Sequence, residues 1–229
     1  HANDSPYNNT STIGGTNLIS QSYNFIDRSH VGAIKLISIV NDHIVNELRG
    51  QVAYRGQNNN TFAASGTGPL LSVSGVAGFG GPNGAGFVYE ETTPELADNF
   101  SYIRGSHSFK FGVSTHAIRD TQVQATFAQY NFPSIAAYLN AVNGSAPKGY
   151  SSFSQIVGNP SLNYNSLFTN FFAQDTWKPM RNLTVTYGLR YDLYQMPSAD
   201  KTSPFAFSQT FRTDKNNFGP RLGFAWGLG

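Results

Sequence analysis

Between Leu183 and Leu193 the chain alternates without a break, with Leu183, Val185, Tyr187, Leu189, Tyr191 and Leu193 in one phase and Thr184, Thr186, Gly188, Arg190 and Asp192 in the other. A period of two is the signature of a strand with one apolar and one wet face. The pattern returns from His107 to Arg119, where Phe109, Phe111, Val113 and Ala117 oppose Ser108, Lys110, Ser114 and His116. It returns again from Ile44 to Arg55, where Ile44, Leu48, Val52 and Tyr54 oppose Glu47, Arg49, Gln51 and Arg55. In the last segment Phe218, Leu222, Phe224, Trp226 and Leu228 oppose Gly219, Arg221, Gly223, Ala225 and Gly227. Such segments run about 10 to 13 residues, twice the roughly 5 or 6 of an ordinary globular strand. Only 12% of the 229 residues are charged, against roughly a quarter in an average soluble domain. Long, sparsely charged strands with one apolar face need an apolar environment to meet.

Two environments qualify: a sandwich core, or lipid outside a barrel whose tilted strands need about 9 to 11 residues to cross. The connections decide between them. Val31 to Val40 joins Ile44 to Arg55 through Asn41-Asp42-His43, Leu96 to Arg104 joins His107 to Arg119 through Gly105-Ser106, and Leu167 to Trp177 joins Leu183 to Tyr194 through Lys178 to Asn182. Between these hairpins lie long polar stretches, Gly56 to Glu95, Asp120 to Ser166 and Gln195 to Asn217. Short turns at one end and long loops at the other are what a membrane barrel shows, and a sandwich has no need of them. The expected fold is therefore all-β: an antiparallel up-and-down transmembrane β-barrel segment of about 7 to 8 long strands with long extracellular loops. Ile19 to Phe25 and Leu70 to Phe79 are weaker candidates for an eighth strand. An odd count, and first and last strands that lack an outer neighbour, favour residues 1–229 as part of a larger barrel over a self-contained small barrel or adhesin. The polar, Met-less start His1-Ala2-Asn3-Asp4 fits a mature or excised piece. A secreted carbohydrate-binding sandwich explains the aromatics but not the connections.

Composition removes other classes. Without cysteine there is no disulfide scaffold, thiolate metal site or Cys nucleophile. A net charge of +2 implies no basic patch for nucleic acid. One short helix is expected at Pro133 to Val142, with Ser134 as N-cap and Asn143-Gly144 as its end.

Five strings follow one another in order: Asn46-Glu47-Leu48-Arg49; Arg104-Gly105-Ser106-His107-Ser108-Phe109-Lys110-Phe111-Gly112; Phe171-Phe172-Ala173-Gln174-Asp175-Thr176-Trp177; Leu183-Thr184-Val185-Thr186-Tyr187-Gly188-Leu189-Arg190-Tyr191; and Gly219-Pro220-Arg221-Leu222-Gly223-Phe224-Ala225-Trp226. Together they resemble TonB-dependent outer-membrane receptors, most of all the Oar-like group, whose members carry an N-terminal carboxypeptidase-regulatory-like domain. The resemblance implies a barrel of about 22 strands, plugged by an N-terminal domain and coupled to the TonB complex through a TonB box. No plug, TonB box or terminal aromatic strand ending is legible in this chain, so the expected piece is an internal barrel segment in the outer membrane. Its expected partners are outer-membrane lipid, its own plug, the TonB complex and an unknown solute, with no nucleic acid.

Individual residues then take expected places. Glu47, Arg49, Lys110, His116, Arg190, Asp192 and Arg221 fall in the polar phase and are expected to face the lumen, either as charge-paired wall or as a solute route. Trp177 and Trp226 are expected in an interfacial aromatic girdle, with Asp175 either solvated at the turn or touching plug or turn. In the loops, Tyr130, Phe132, Tyr138, Tyr150, Phe153, Phe205, Phe207 and Phe211 stand among amides, a mixture suited to sugars or peptides, or to a loop packed on itself. Glu90, Glu91, Glu95 and Asp98 lack the spacing of a calcium loop and are expected at a solvated loop end. Gly78 to Gly86 lacks the Lys-Ser/Thr and helix of a phosphate loop and is expected to be flexible. No nucleophile elbow appears, so no enzyme activity, cofactor or metal is expected.

Overall fold

The computed structural model describes residues 2–5, 14–158 and 161–227. The elements are β1 (Ala2–Ser5), β2 (Asn24–Asn41), β3 (Ile44–Asn60), β4 (Leu70–Val73), β5 (Ala77–Gly80), β6 (Val88–Arg104), β7 (His107–Val123), β8 (Ala128–Phe132), α1 (Ile135–Val142), β9 (Ser152–Gln155), β10 (Ser161–Met180), β11 (Leu183–Gln195) and β12 (Phe218–Trp226). Among the described residues eight strands form one sheet in the order β1-β2-β3-β6-β7-β10-β11-β12, and β5-β4-β8-β9 form a second. β1 and β12 stand at the two ends of the first order. Leu228, expected to extend the last strand, lies outside the described residues.

The long strands exceed the alternating segments that announce them. β2 has 18 residues, β3 17 and β10 20. Backbone pairing continues past the point where one face must be apolar, so hydrophobic alternation marks only the stretch with an apolar neighbour. Where β2 and β3 run past those segments the side chains bond to each other instead: Gln57 donates to Asp27 Oδ2 at 3.0 Å, and Arg55, the last residue of its alternating segment, brings Nη2 within 3.0 Å of the same oxygen. The connection expected over Lys178 to Asn182 is shorter than its sequence. A register shift between Trp177 and Met180 absorbs Lys178 and Pro179 into β10 and leaves Arg181-Asn182 as the turn.

The eighth strand is neither sequence candidate. Ile19–Gln21 is a 3-10 turn, Asn24 and Phe25 begin β2, and Leu70 to Phe79 folds as the β4–β5 hairpin of the second sheet. The place beside β2 is taken by β1, with Ala2 opposite Arg28 and Ser5 opposite Phe25.

By contact the chain divides into residues 1–30, 55–91 and 120–163, and residues 31–54, 92–119 and 164–229. The first unit holds the second sheet, in which β4 runs parallel to β8 and antiparallel to β5. The glycine-rich stretch expected to be flexible is packed here. Gly78 and Gly80 lie in β5, and a Cβ on Gly66 would overlap the Gly80 carbonyl, a backbone approach that only glycine permits. Helix α1 starts as its sequence reads, the Ser134 hydroxyl accepting from Ala137 N at 3.2 Å. The second unit holds the three short hairpin turns. Glu90, Glu91, Glu95 and Asp98, expected at a loop end, lie along β6 and so alternate between its faces.

Candidate functional site

Register assigns the faces. Across β10, β11 and β12, Asn170 pairs with Asp192, Phe172 with Arg190, Gln174 with Gly188, and Gly188 in turn with Arg221. Paired residues share a face, so Arg190, Asp192 and Arg221 lie together with Asn170, Phe172 and Gln174. The other face carries Phe171, Ala173, Tyr187, Leu189, Leu222 and Phe224 by the same register.

On the polar face the charges form short pairs. Glu47 takes Lys35 Nζ at 2.8 Å and Arg49 Nε at 3.3 Å, and Arg190 Nη2 meets Asp192 Oδ1 at 2.9 Å. Each pair is partly exposed and therefore adds little stability; its effect is to fix where charge stands along the wall. Among the described residues no carboxylate pairs with Lys110 or Arg221, which leaves two free cations. His116 packs its ring against Phe168 at 5.0 Å. Asn170 donates to the Ser114 hydroxyl, and a Cβ on Gly112 would overlap the Phe172 ring and come within 2.6 Å of Asn99 Oδ1. Lys35 belongs to this face although nothing singles it out in sequence, because its partner Glu47 is supplied by the neighbouring strand.

The apolar face is bare. Leu222 is 81% exposed within the chain, and Ile34, Leu36, Phe111, Phe171, Leu189 and Phe224 are exposed as well. Monomeric soluble domains rarely leave a contiguous patch of this kind uncovered. At the short-turn end an aromatic row crosses it: Trp177 stacks on His107 at 5.7 Å, His107 on Phe109 at 5.5 Å, and Phe109 lies 6.2 Å from Tyr102. Trp226 pairs with Leu183 and Trp177 with Val185, so both tryptophans stand at this same end. Asp175 is not solvated there. It is 4% exposed, its Oδ2 lies 2.6 Å from His107 Nδ1, and the same oxygen accepts from the Tyr187 hydroxyl at 2.8 Å. Parity alone puts these three residues on the apolar face; their mutual bonding joins Asp175 to His107, 68 residues away, and to Tyr187, 12 residues away on the next strand.

The loop aromatics divide into two sets. Tyr130 packs on Tyr150 at 5.3 Å and on Phe153 at 4.6 Å, and Tyr138 meets Phe132 and Phe79, each at 5.4 Å. These five expected contact residues are thus tied into the second sheet and α1. Phe205, Phe207 and Phe211 are not: Phe205 is 72% and Phe207 95% exposed. Among the described residues no three His, Asp or Glu side chains converge as metal ligands.

No curated protein and no solved structure gives a significant match to the chain. Long antiparallel strands, short turns against long loops and a naked apolar face with an aromatic row are nonetheless those of a protein that lives in lipid. The match of residues 1–229 to the outer membrane beta barrel domain agrees with each of them: the chain belongs to that family, and its place is the outer membrane.

Proposed function

We propose that this chain is wall and loop of a TonB-dependent outer-membrane transporter or receptor that takes up a scarce solute, a carbohydrate or a peptide. The observation that carries the reading is the polar face, where Lys35, Glu47, Arg49, Arg190 and Asp192 hold paired charges while Lys110 and Arg221 stand free. A wall that only needed to be wet would be served by Ser, Thr and Asn. Fixed pairs together with spare cations suit a lumen that holds a removable plug or passes a polar solute. The ordered strings shared with TonB-dependent receptors point the same way.

In this reading the exposed rings of Phe205 and Phe207 meet the solute first, offering apolar faces to a sugar or peptide. The Tyr130, Phe132, Tyr138, Tyr150 and Phe153 cluster is scaffold. Lys110 and Arg221 face the lumen and act on the plug or solute after capture. The chain performs binding and passage, with no catalytic step.

The test is uptake of a panel of fluorescent oligosaccharides and peptides by cells carrying the intact gene, by cells lacking it and by cells lacking TonB. The expected result is a solute whose uptake falls in both deletions. A solute that needs the gene but not TonB would overturn TonB coupling and leave a small outer-membrane barrel or adhesin.

A further inference from the structure

The apolar face is not evenly filled. On the stretch where β2, β3, β6 and β7 lie side by side, Gly32, Gly50 and Ala117 stand where neighbouring positions carry large side chains, and a groove of about 620 Å³ opens between Ile34, Val52 and Leu96. A Cβ on Gly50 would meet only Ile34 Cγ2, at 3.4 Å, and one on Gly32 would meet nothing. The depression is therefore unoccupied by the chain's own side chains. Glu95 also borders this stretch, but alternation with Leu96 turns it to the polar face.

Height fixes the surroundings. At about 3.4 Å per residue and a tilt near 40°, the climb from His107 to Ala117 raises the chain about 26 Å from the short-turn end, close to the roughly 25 Å of a barrel's apolar band. The same arithmetic puts Gly50, Val52 and Leu96 about 16 to 21 Å up, in the outer half of that band. Arg119 comes one pleat beyond Ala117 in the same phase, about 31 Å up and at head-group level on the long-loop side. It is exposed, and among the described residues no carboxylate pairs with it.

We infer that the groove seats an acyl chain of a phosphate-bearing outer-leaflet lipid whose phosphate is held by Arg119. The occupant follows from what surrounds this face and from charge. Hydrocarbon fills an apolar trough bathed in lipid, and a lone guanidinium at head-group depth selects an anionic over a zwitterionic head. The inference needs the outer-membrane placement of the chain and does not depend on what the barrel transports.

The experiment uses the full protein purified from outer membranes in mild detergent, offered dimyristoyl phosphatidic acid or dimyristoyl phosphatidylcholine and read by native mass spectrometry. The expected result is preferential retention of phosphatidic acid by about fivefold, the ratio given by about 1 kcal/mol per cation near an anionic surface. Arg119→Gln should level the two lipids. Gly50→Leu should reduce retention of both, and Ala117→Leu, which enters the groove from another strand, should do the same if Gly50→Leu fails to fold. Gly223→Leu, on the other face with nothing within 4 Å of its Cβ, should behave as wild type. Excess inorganic phosphate should leave retention unchanged, because the acyl chain anchors the ligand. Equal retention of both lipids by the wild type, full retention by either groove variant, or displacement by inorganic phosphate would overturn the inference.

Discussion

The carboxylate of Asp175 and the imidazole of His107 meet at 2.6 Å on the apolar face of the sheet, inside the aromatic row of the short-turn end. Tyr187 donates to the same carboxylate oxygen from the other flanking strand, β11. One buried acid thereby ties β7, β10 and β11 together at the short-turn end of the sheet. Aromatic rings suit that end because an apolar body can carry a polar edge. Here the polar edges of His107 and Tyr187 turn inward to Asp175 and leave the rings partly exposed on the apolar face.

Removing that acid should loosen the wall. Asp175→Ala strands the Tyr187 hydroxyl and one His107 nitrogen on the apolar face, and polar groups left without a partner there are destabilising. Asp175→Asn keeps an acceptor for Tyr187 and should lose less. The urea midpoint of the protein extracted from membranes, followed by loss of heat-modifiable mobility on SDS gels, should fall in the order wild type, Asp175→Asn, Asp175→Ala. Equal midpoints for wild type and Asp175→Ala would show the cluster to be idle.

A second prediction concerns the opposite face. Gly112 leaves room for the Phe172 ring, which covers it from β10. Gly112→Ala forces the ring away, and such overpacking costs about 1–3 kcal/mol. Phe172→Leu removes the obstacle, so the double variant should be less destabilised than the sum of its singles. Strict additivity would mean that the ring and the glycine do not touch in the membrane.

The faces themselves can be checked with one residue on each. Leu222→Arg puts a guanidinium on the bare apolar face, where its cost is about 2–4 kcal/mol near the bilayer midplane and less toward the interface. Gly223→Arg, the next residue along, enters open space on the polar face. Outer-membrane abundance should drop sharply for Leu222→Arg and hold for Gly223→Arg. The reverse result would invert the sheet.

How much of the fold the sequence announces depends on the range of each interaction. Leu183 to Leu193 advertises its strand and both faces because period two is local, and Ser134 announces α1 because its cap closes over three residues. The parts of β2 and β3 beyond the alternating segments are silent, since Asp27 and Gln57 satisfy each other across the pair and need no alternation. Asp175 reads as solvated because its partners lie 68 and 12 residues away. The loop aromatics show both limits. Composition marks them as a group, while only folding separates Tyr130 and Phe132, held in the second sheet, from Phe205 and Phe207, whose side chains are exposed.

The last prediction concerns pH and the loop that carries those two rings. Asp200 Oδ1 accepts from the Thr202 hydroxyl at 2.6 Å and from Thr202 N at 2.9 Å, and its own N–H donates to the Ser208 carbonyl at 3.2 Å. The Thr202 hydroxyl first, then the Thr202 and Ser203 amides, hold the Asp200 carboxyl below the usual aspartate range. A lowered folded value means that the turn is fully supported above the ordinary aspartate pKa of about 3.9 and loses that support as the pH falls through the folded value. The Thr202 amide resonance should therefore titrate with a midpoint below that of an unstructured aspartate, and the titration should vanish in Asp200→Asn. Capture of the solute by Phe205 and Phe207 should stay constant down to the ordinary aspartate range and weaken only beneath it. A midpoint at or above the ordinary value would show that the turn does not hold this loop.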